Sequence, residues 1–244
     1  MKKYFAKAFL GLCALGTSTV AFAQEAAEAA QPAVESGMHQ ALKTKFIEGG
    51  ADFMSLVAIA LIFGLAFCLE RIIYLNLAET NPSKLLKGIE EALDRGDVEA
   101  AKTIARDTRG PIASIAYQGL MRIDQGVDIV EKSIVSYGGV QGGLLEKNLS
   151  WVTLFIAMAP SLGFLGTVVG MIMAFDKIEQ VGDISPTVVA GGMKVALITT
   201  IGGLIVAIIL QMFFNYIISK IDSIVVSMEE ASISLIDLLV KYKK

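Results

Sequence analysis

Three hydroxyls, Thr167, Thr199 and Thr200, lie inside long stretches that carry no ionisable side chain. A hydroxyl costs little to hold in an apolar medium. It can donate to or accept from water, or from a carboxylic acid that gains and loses a proton. A charge in the same place would cost several kcal/mol unless paired, on the order of 3 kcal/mol or more. The chemistry open to these residues is therefore hydrogen bonding to water or to a partner's carboxylate, rather than bond making. The residue types argue against enzyme chemistry. The chain has one His and two Cys, no phosphate-cradling loop and no metal-ligand spacing. His39 stands in a polar stretch and reads as solvated, Cys13 lies in the leader, and Cys68 lies in an apolar helix as a small core residue. No cofactor and no metal are expected.

The elements that must position the hydroxyls are long helices. Leu149 to Phe175 is an uncharged run of 27 residues, against about 20 needed to cross a hydrocarbon core. At 100° per residue, Pro160, Gly163, Thr167, Gly170 and Ala174 share one small-residue stripe with Thr167 near its middle. Phe155, Met158, Leu162, Leu165, Val169 and Ile172 cover the other side. Gly166-x-x-x-Gly170 by itself says only that helices approach closely. The second run, Val195 to Ser219, repeats the design with Gly192, Ala196, Thr199, Thr200, Gly203 and Ala207 on one side. The pair suggests a polar line through a protein-lined interior. The small stripes are expected to face a central cavity, and the bulky faces lipid and the first span.

Composition fits a polytopic, all-α membrane protein. Hydrophobic residues make up 54%, charged residues 18%, and mean hydropathy is +0.62. A net charge of −3 points away from nucleic acid. Lys2, Lys3 and Lys7, the apolar Ala8 to Thr17 and the small-residue site Ala21-Phe22-Ala23 read as a signal peptide over 1–23; the alternative is an uncleaved leader helix. Residues 24–50 follow as an extracytoplasmic N-terminal segment. The first span is 51–76 and closes at Glu70-Arg71 beside Tyr74, a charge pair suited to the water interface. Residues 77–148 form a helical region, with starts at Asn81-Pro82 and Gly110-Pro111, a break at Gly96-Asp97, and a last helix running from Val127 into the second span. Between residues 76 and 148, nine Lys/Arg mix with eleven Asp/Glu, as on a solvated surface.

The remaining boundaries are a second span at 149–176, a short loop at 177–194, a third span at 195–219 and a C-terminal helix at 220–244. The loop from Glu179 to Gly192 has two acids and no Lys or Arg, whereas the tail carries Lys220, Lys241, Lys243 and Lys244. The positive-inside rule puts the tail and the 77–148 helical hairpin in the cytoplasm and the mature N-terminus outside. Lys194, at the outer end of the third span, is either a topology anchor or a pore-mouth residue.

Several segments carry a resemblance. These are Glu70-Arg-Ile-Ile-Tyr-Leu75, Gly96-Asp97, Ala159-Pro-Ser-Leu-Gly-Phe-Leu-Gly-Thr-Val-Val-Gly-Met-Ile-Met-Ala-Phe175 and Ala196-Leu-Ile-Thr-Thr-Ile-Gly-Gly-Leu-Ile-Val-Ala-Ile208. In order and spacing they resemble the MotA/TolQ/ExbB proton-channel family from about Phe53 to Lys244. Three spans with a large first cytoplasmic loop resemble its ExbB and TolQ branch rather than four-span MotA, and the leader resembles N-terminally extended ExbB proteins. The resemblance implies a pentameric inner-membrane stator of bacteria around a smaller single-span partner of the ExbD or TolR kind. That partner carries the essential aspartate, and proton flow is passed to a TonB-like or TolA-like transducer. The family's pore threonines fall on Thr167 and Thr200, with Thr199 an additional hydroxyl. From the two stripes, Pro160, Gly163, Gly166, Gly170 and Gly203 are expected at pore and helix-packing positions. Relatives carry a Glu one turn before the third-span Thr, where this chain has Lys194-Val195. A secondary transporter and a non-conducting membrane scaffold are the competing readings.

Overall fold

The computed structural model describes residues 38–182 and 185–243. The leader at 1–23 with Cys13, and the segment from Gln24 to residue 37, lie outside the described residues. The chain divides into Met1–Phe46 and Ile47–Lys244. Of the first unit, the described part belongs to helix α1, Met38–Glu48.

The second unit is all helical among the described residues. Helix α2 spans Ala51–Ala78, followed by α3 Pro82–Asp94, α4 Val98–Asp107, α5 Pro111–Leu120, α6 Val127–Leu145, α7 Leu149–Val181 and α8 Pro186–Lys243. Helices α2, α7 and α8 each contain a stretch long and apolar enough to cross a membrane. Their outward faces carry Ile62, Phe63, Phe164, Ile172, Leu197 and Ile208 in the open, which is stable only against lipid or another protein.

Local chemistry sets the boundaries of the polar helices. Asn81 caps α3 by accepting the Lys84 N–H, and Pro82 supplies a first-turn φ already suited to a helix. Asp97 caps α4 by accepting the Ala100 N–H at 2.9 Å. Gly96 turns the chain at φ +76°, a region that L side chains avoid. The amphipathic α3 and α4 bury Leu85, Ile89, Leu93 and Ala101. The lower half of α8 closes the same core with Ile221, Ile224, Met228, Leu235 and Leu239. Helix α8 is continuous over 58 residues, roughly 85 Å at 1.5 Å per residue. One rod therefore serves as both third span and bundle helix.

Two boundaries differ from the sequence reading. The helix from Val127 does not run on into the second span. It ends at Leu145, and Asn148 takes φ 67° before α7 begins. Gly138, Gly139, Gly142 and Gly143 weaken α6 toward that end, and Asn tolerates the left-handed conformation better than most residues. The loop between the second and third spans is also shorter than 177–194. Helix α7 continues to Val181, a left-handed Gly182 ends it, and α8 starts at Pro186. The polar residues there cap and extend the helices instead of leaving them.

The centre of the unit is the antiparallel seam between α7 and α8. Ala159, Gly163, Gly166, Gly170 and Ala174 are buried along α7. They meet Gly192, Ala196, Thr199 and Gly203 on α8. A Cβ placed on Gly203 would lie 2.5 Å from the Ala159 carbonyl oxygen, and one on Gly163 would lie 2.9 Å from the Thr199 carbonyl oxygen. Backbone is what opposes them, so no rotamer change can make room. Pro160 sits inside α7 without ending it. It offers no N–H to the carbonyl four residues earlier, a loss tolerated where neighbouring groups and helices support the turn. Helix α2 packs across α7 and α8. Phe67 stacks on Trp151 and Phe155, with centroids 6.0 Å apart in both pairs, and Gly64 lies against Leu210.

Gly203→Ala and Gly163→Ala are expected to lower stability by about 1–3 kcal/mol each through overpacking. Gly191, on the same helix, has nothing within 4 Å of a built Cβ, and Gly191→Ala should be neutral or stabilising by up to about 1 kcal/mol. Thermal unfolding of the three variants in one detergent checks the order; equal melting temperatures would remove the close seam.

Candidate functional site

The two stripes read from the sequence do meet, but their centre is shifted. The buried line of α7 runs through Gly166, and Thr167 sits one position to its side, partly exposed. On α8 the buried position is Thr199, which is fully buried, with Thr200 at the flank and partly exposed. The expectation that the small stripes face a cavity is thereby corrected. Gly163, Gly166, Gly170 and Gly203 are consumed in packing α7 on α8 within the chain, because only there does removal of a Cβ let backbones touch.

Each hydroxyl has a different setting. Thr199 Oγ1 donates toward the Ala196 carbonyl at 2.8 Å, with the Val195 carbonyl 3.2 Å away. A Cβ on Gly166 would come within 2.7 Å of that hydroxyl. Thr199 is thus a seam residue whose polar atom is satisfied by its own helix. Thr200 Oγ1 donates toward the Ala196 carbonyl at 3.3 Å and reaches the Gly163 carbonyl across the seam at 3.5 Å. Thr167 Oγ1 donates to the Phe164 carbonyl at 2.6 Å. Gly163 lies one turn from Thr167, so Thr167 and Thr200 sit within about one helical turn of each other in depth.

They also share a side. Val195 and Gly202, which touch Gly50 and Met54 at the α2 side, lie on one flank of the α8 seam line. Thr200 lies roughly 70° to the other flank at 100° per residue. On α7, Trp151 and Phe155 stack with α2, while Thr167 and Pro160 lie roughly 60–80° to the opposite flank. Thr167, Thr200 and Pro160 therefore occupy the face of the helix pair turned away from α2. Leu197, Ile201, Phe164 and Val168 stand exposed around them. Each hydroxyl proton is directed at a backbone carbonyl, which leaves the oxygen lone pairs free to accept a bond from outside.

Lys194 is at the far end of α8 from the tail, and its Nζ pairs with Glu48 at 2.7 Å. Among the described residues no group of three or more His, Cys, Asp and Glu is placed to hold a metal ion.

Sequence reasoning missed the clasp at the other end of the spans. Arg71 is 3% exposed and donates to both Glu70 carboxylate oxygens, at 2.8 and 2.6 Å. It also lies over the Tyr74 ring at 4.5 Å and reaches the Leu144 carbonyl at 3.4 Å. Leu144 is in the last turn of α6, whose carbonyls lack helical partners, and a guanidinium there satisfies one of them. Asn148 Nδ2 approaches Glu70 from the break between α6 and α7. The signal was present as Glu-Arg beside Tyr, but its long-range partner is a backbone carbonyl that no side-chain pattern encodes. Farther down, Lys220 pairs with Glu79 at 2.5 Å, and this carboxylate holds the lysine above its ordinary range.

Comparison with known proteins agrees with this architecture. Residues 107–230, which include the whole of α7 and the spanning half of α8, match the MotA/TolQ/ExbB proton channel family. A putative biopolymer transport protein ExbB homolog of Methanothermobacter thermautotrophicus is 31% identical over 179 residues, covering 72% of this chain and 63% of that protein. The biopolymer transport protein ExbB of Aquifex aeolicus is 34% identical over 77 residues, which cover 32% of this chain and 52% of that protein. The biopolymer transport protein exbB1 of Vibrio cholerae is 43% identical over 64 residues, covering 26% and 28%. The chain thus spans less than two thirds of the length of each of these relatives. The all-helical fold, the three membrane-length helices and the match through both threonine-bearing spans identify a multi-pass membrane protein that belongs to the MotA/TolQ/ExbB proton channel family.

Proposed function

We propose that this chain is an ExbB-like stator subunit of an inner membrane, and that its open α7–α8 face forms part of a proton path. The observation that carries the reading is the pairing of Thr167 and Thr200 on that face, within spans that hold no ionisable side chain. A path of protons needs a titrating group or a water chain, so a partner has to bring the acid. The expected partner is an ExbD-like or TolR-like single-span protein with an intramembrane aspartate, enclosed by a pentamer of this chain. The signal peptide, the outer N-terminus and the cytoplasmic tail belong to the same proposal, as does delivery of the work to a TonB-like transducer. A TolQ-like role with a TolA-like transducer is the nearest alternative.

The hydroxyls suit such an acid in both protonation states. While Thr167 and Thr200 donate to backbone carbonyls, their oxygens accept from a protonated carboxyl. When the carboxyl loses its proton, rotation of each hydroxyl turns it into a donor toward the carboxylate. The acid then has a polar contact on either side of the proton transfer, at the cost of one weak helix bond. Movement of one charge across the membrane supplies about 2.3 kcal/mol per 100 mV, so mechanical work needs several protons in sequence. The scaffold reading draws on the seam itself, which accounts for the glycines by packing alone.

Thr167→Val and Thr200→Val keep the shape and remove the hydrogen bond, with an expected loss of roughly 1–3 kcal/mol at the acid. Proton flux into vesicles holding the assembled complex should fall severely in the double variant and only mildly in the Thr→Ser pair. Undiminished flux in the Val double variant would leave the scaffold reading in place. Lys194→Ala, which breaks the pair with Glu48, separates anchor from pore mouth. An anchor predicts near-normal flux with normal assembly, whereas a pore-mouth lysine predicts lost flux with normal assembly.

A further inference from the structure

Where the spans meet the polar bundle, the end of α2, the start of α3 and the lower half of α8 border a cavity of about 400 Å³, a size common among small-molecule sites. Glu79, Thr80, Asn81, Ser223 and Ser227 line it, over a floor that includes the buried Ile112 and Ile224. Lys220 joins it through Glu79, to which its Nζ donates at 2.5 Å. The height of the cavity follows from the sequence. Glu79 directly follows the last residue of α2, and Lys220 directly follows the uncharged run Val195–Ser219. Their pairing sets both at one level, where hydrocarbon gives way to headgroups. Tyr216 and Met212, one and two turns nearer the membrane centre on α8, are exposed at 52% and 69%. A tyrosine suits that boundary, and the methionine above it offers an apolar wall to acyl chains.

The polar wall mostly accepts hydrogen bonds. Thr80 Oγ1 donates to the Arg109 carbonyl at 2.5 Å, and Ser227 Oγ donates to the Ser223 carbonyl at 3.0 Å. Each hydroxyl proton is therefore committed, and the oxygen lone pairs are left to accept. Glu79 takes the lysine on Oε2, which leaves Oε1 as a further acceptor. Such a wall calls for a compact cation with several N–H groups. Lys220 has three N–H and spends one on Glu79, so two remain for an anion. A ligand with an ammonium at one end and a phosphate at the other answers both halves of the pair. A choline headgroup carries no N–H, and a glycerol headgroup carries no positive charge.

We propose that this cavity holds the phosphoethanolamine headgroup of a membrane lipid, with the ammonium against Glu79, Thr80 and Ser227 and the phosphate against Lys220. The proposal rests on the membrane-spanning fold and not on the proton path, and its test reads lipid binding alone. Full-length protein is stripped of lipid in detergent and titrated with phosphatidylethanolamine, phosphatidylcholine or phosphatidylglycerol of identical acyl chains. Native mass spectrometry counts the lipids retained. Phosphatidylethanolamine should bind roughly tenfold more tightly than the other two, the worth of one or two charge-assisted bonds. Glu79→Gln should lower it to the level of phosphatidylcholine, and Ser227→Leu, which fills the cavity, should do the same. Circular dichroism of both variants should keep the helical content. Soluble phosphoethanolamine, which lacks acyl chains, should compete only weakly. Equal retention of the three lipids would overturn the proposal, as would a preference that survives both variants. A preference for phosphatidylglycerol would make this a site for an anion alone, and tight binding of soluble phosphoethanolamine would refute the lipid as its source.

Discussion

The approach of two backbones along the α7–α8 seam is the constraint on which the rest of the structure depends. Gly163, Gly166, Gly170 and Gly203 carry no Cβ where one would strike the facing helix, and Ala159, Ala174 and Ala196 fill the gaps between them. In lipid there is little hydrophobic drive to join helices, so close packing of this kind is the main attractive term available. Once the seam is closed, the rotation of both helices is fixed. Thr199 turns inward to be satisfied by its own helix, and Thr167 and Thr200 are left together on the free face. The placement of the hydroxyls follows from the placement of the glycines.

Two further features tie that face to the polar bundle. Helix α8 runs without a break from the spans into the core formed with α3 to α6, so rotation of its upper half cannot be separated from the lower half by a hinge. The second path, α7 to α6, does have a break, at the left-handed Asn148. Arg71 bridges it from α2 by holding Glu70 and the end of α6. A stiff connection and a clasped joint in parallel give the bundle a defined position beneath the spans.

Much of this was legible in the residues. Runs without charge located the three spans, since membrane helices cannot hide ionised groups cheaply. Asn81-Pro82 and Gly110-Pro111 marked helix starts because capping and φ restriction are local effects. The small-residue stripes were visible too, but their partner was not. A helical wheel shows which residues share a side without showing what lies opposite. Glycine suits a cavity wall and a helix seam equally, so Thr167 was read at the centre and lies at the edge. The end of α6 was missed because Gly-rich α6 and apolar α7 read as one helical pattern, and a single left-handed Asn148 interrupts it. The Arg71 contact was hidden because its acceptor is a main-chain carbonyl 73 positions away.

The central claim is that the seam turns Thr199 in and Thr167 and Thr200 out. Single cysteines at these three positions, in a chain whose Cys13 and Cys68 are replaced by Ser, report it directly. The assembled complex in vesicles is treated with a small cationic thiol reagent, and modification is read by mass. The account predicts that Thr167→Cys and Thr200→Cys react while Thr199→Cys stays protected. Labelling of Thr199→Cys with Thr167→Cys and Thr200→Cys inert would contradict it.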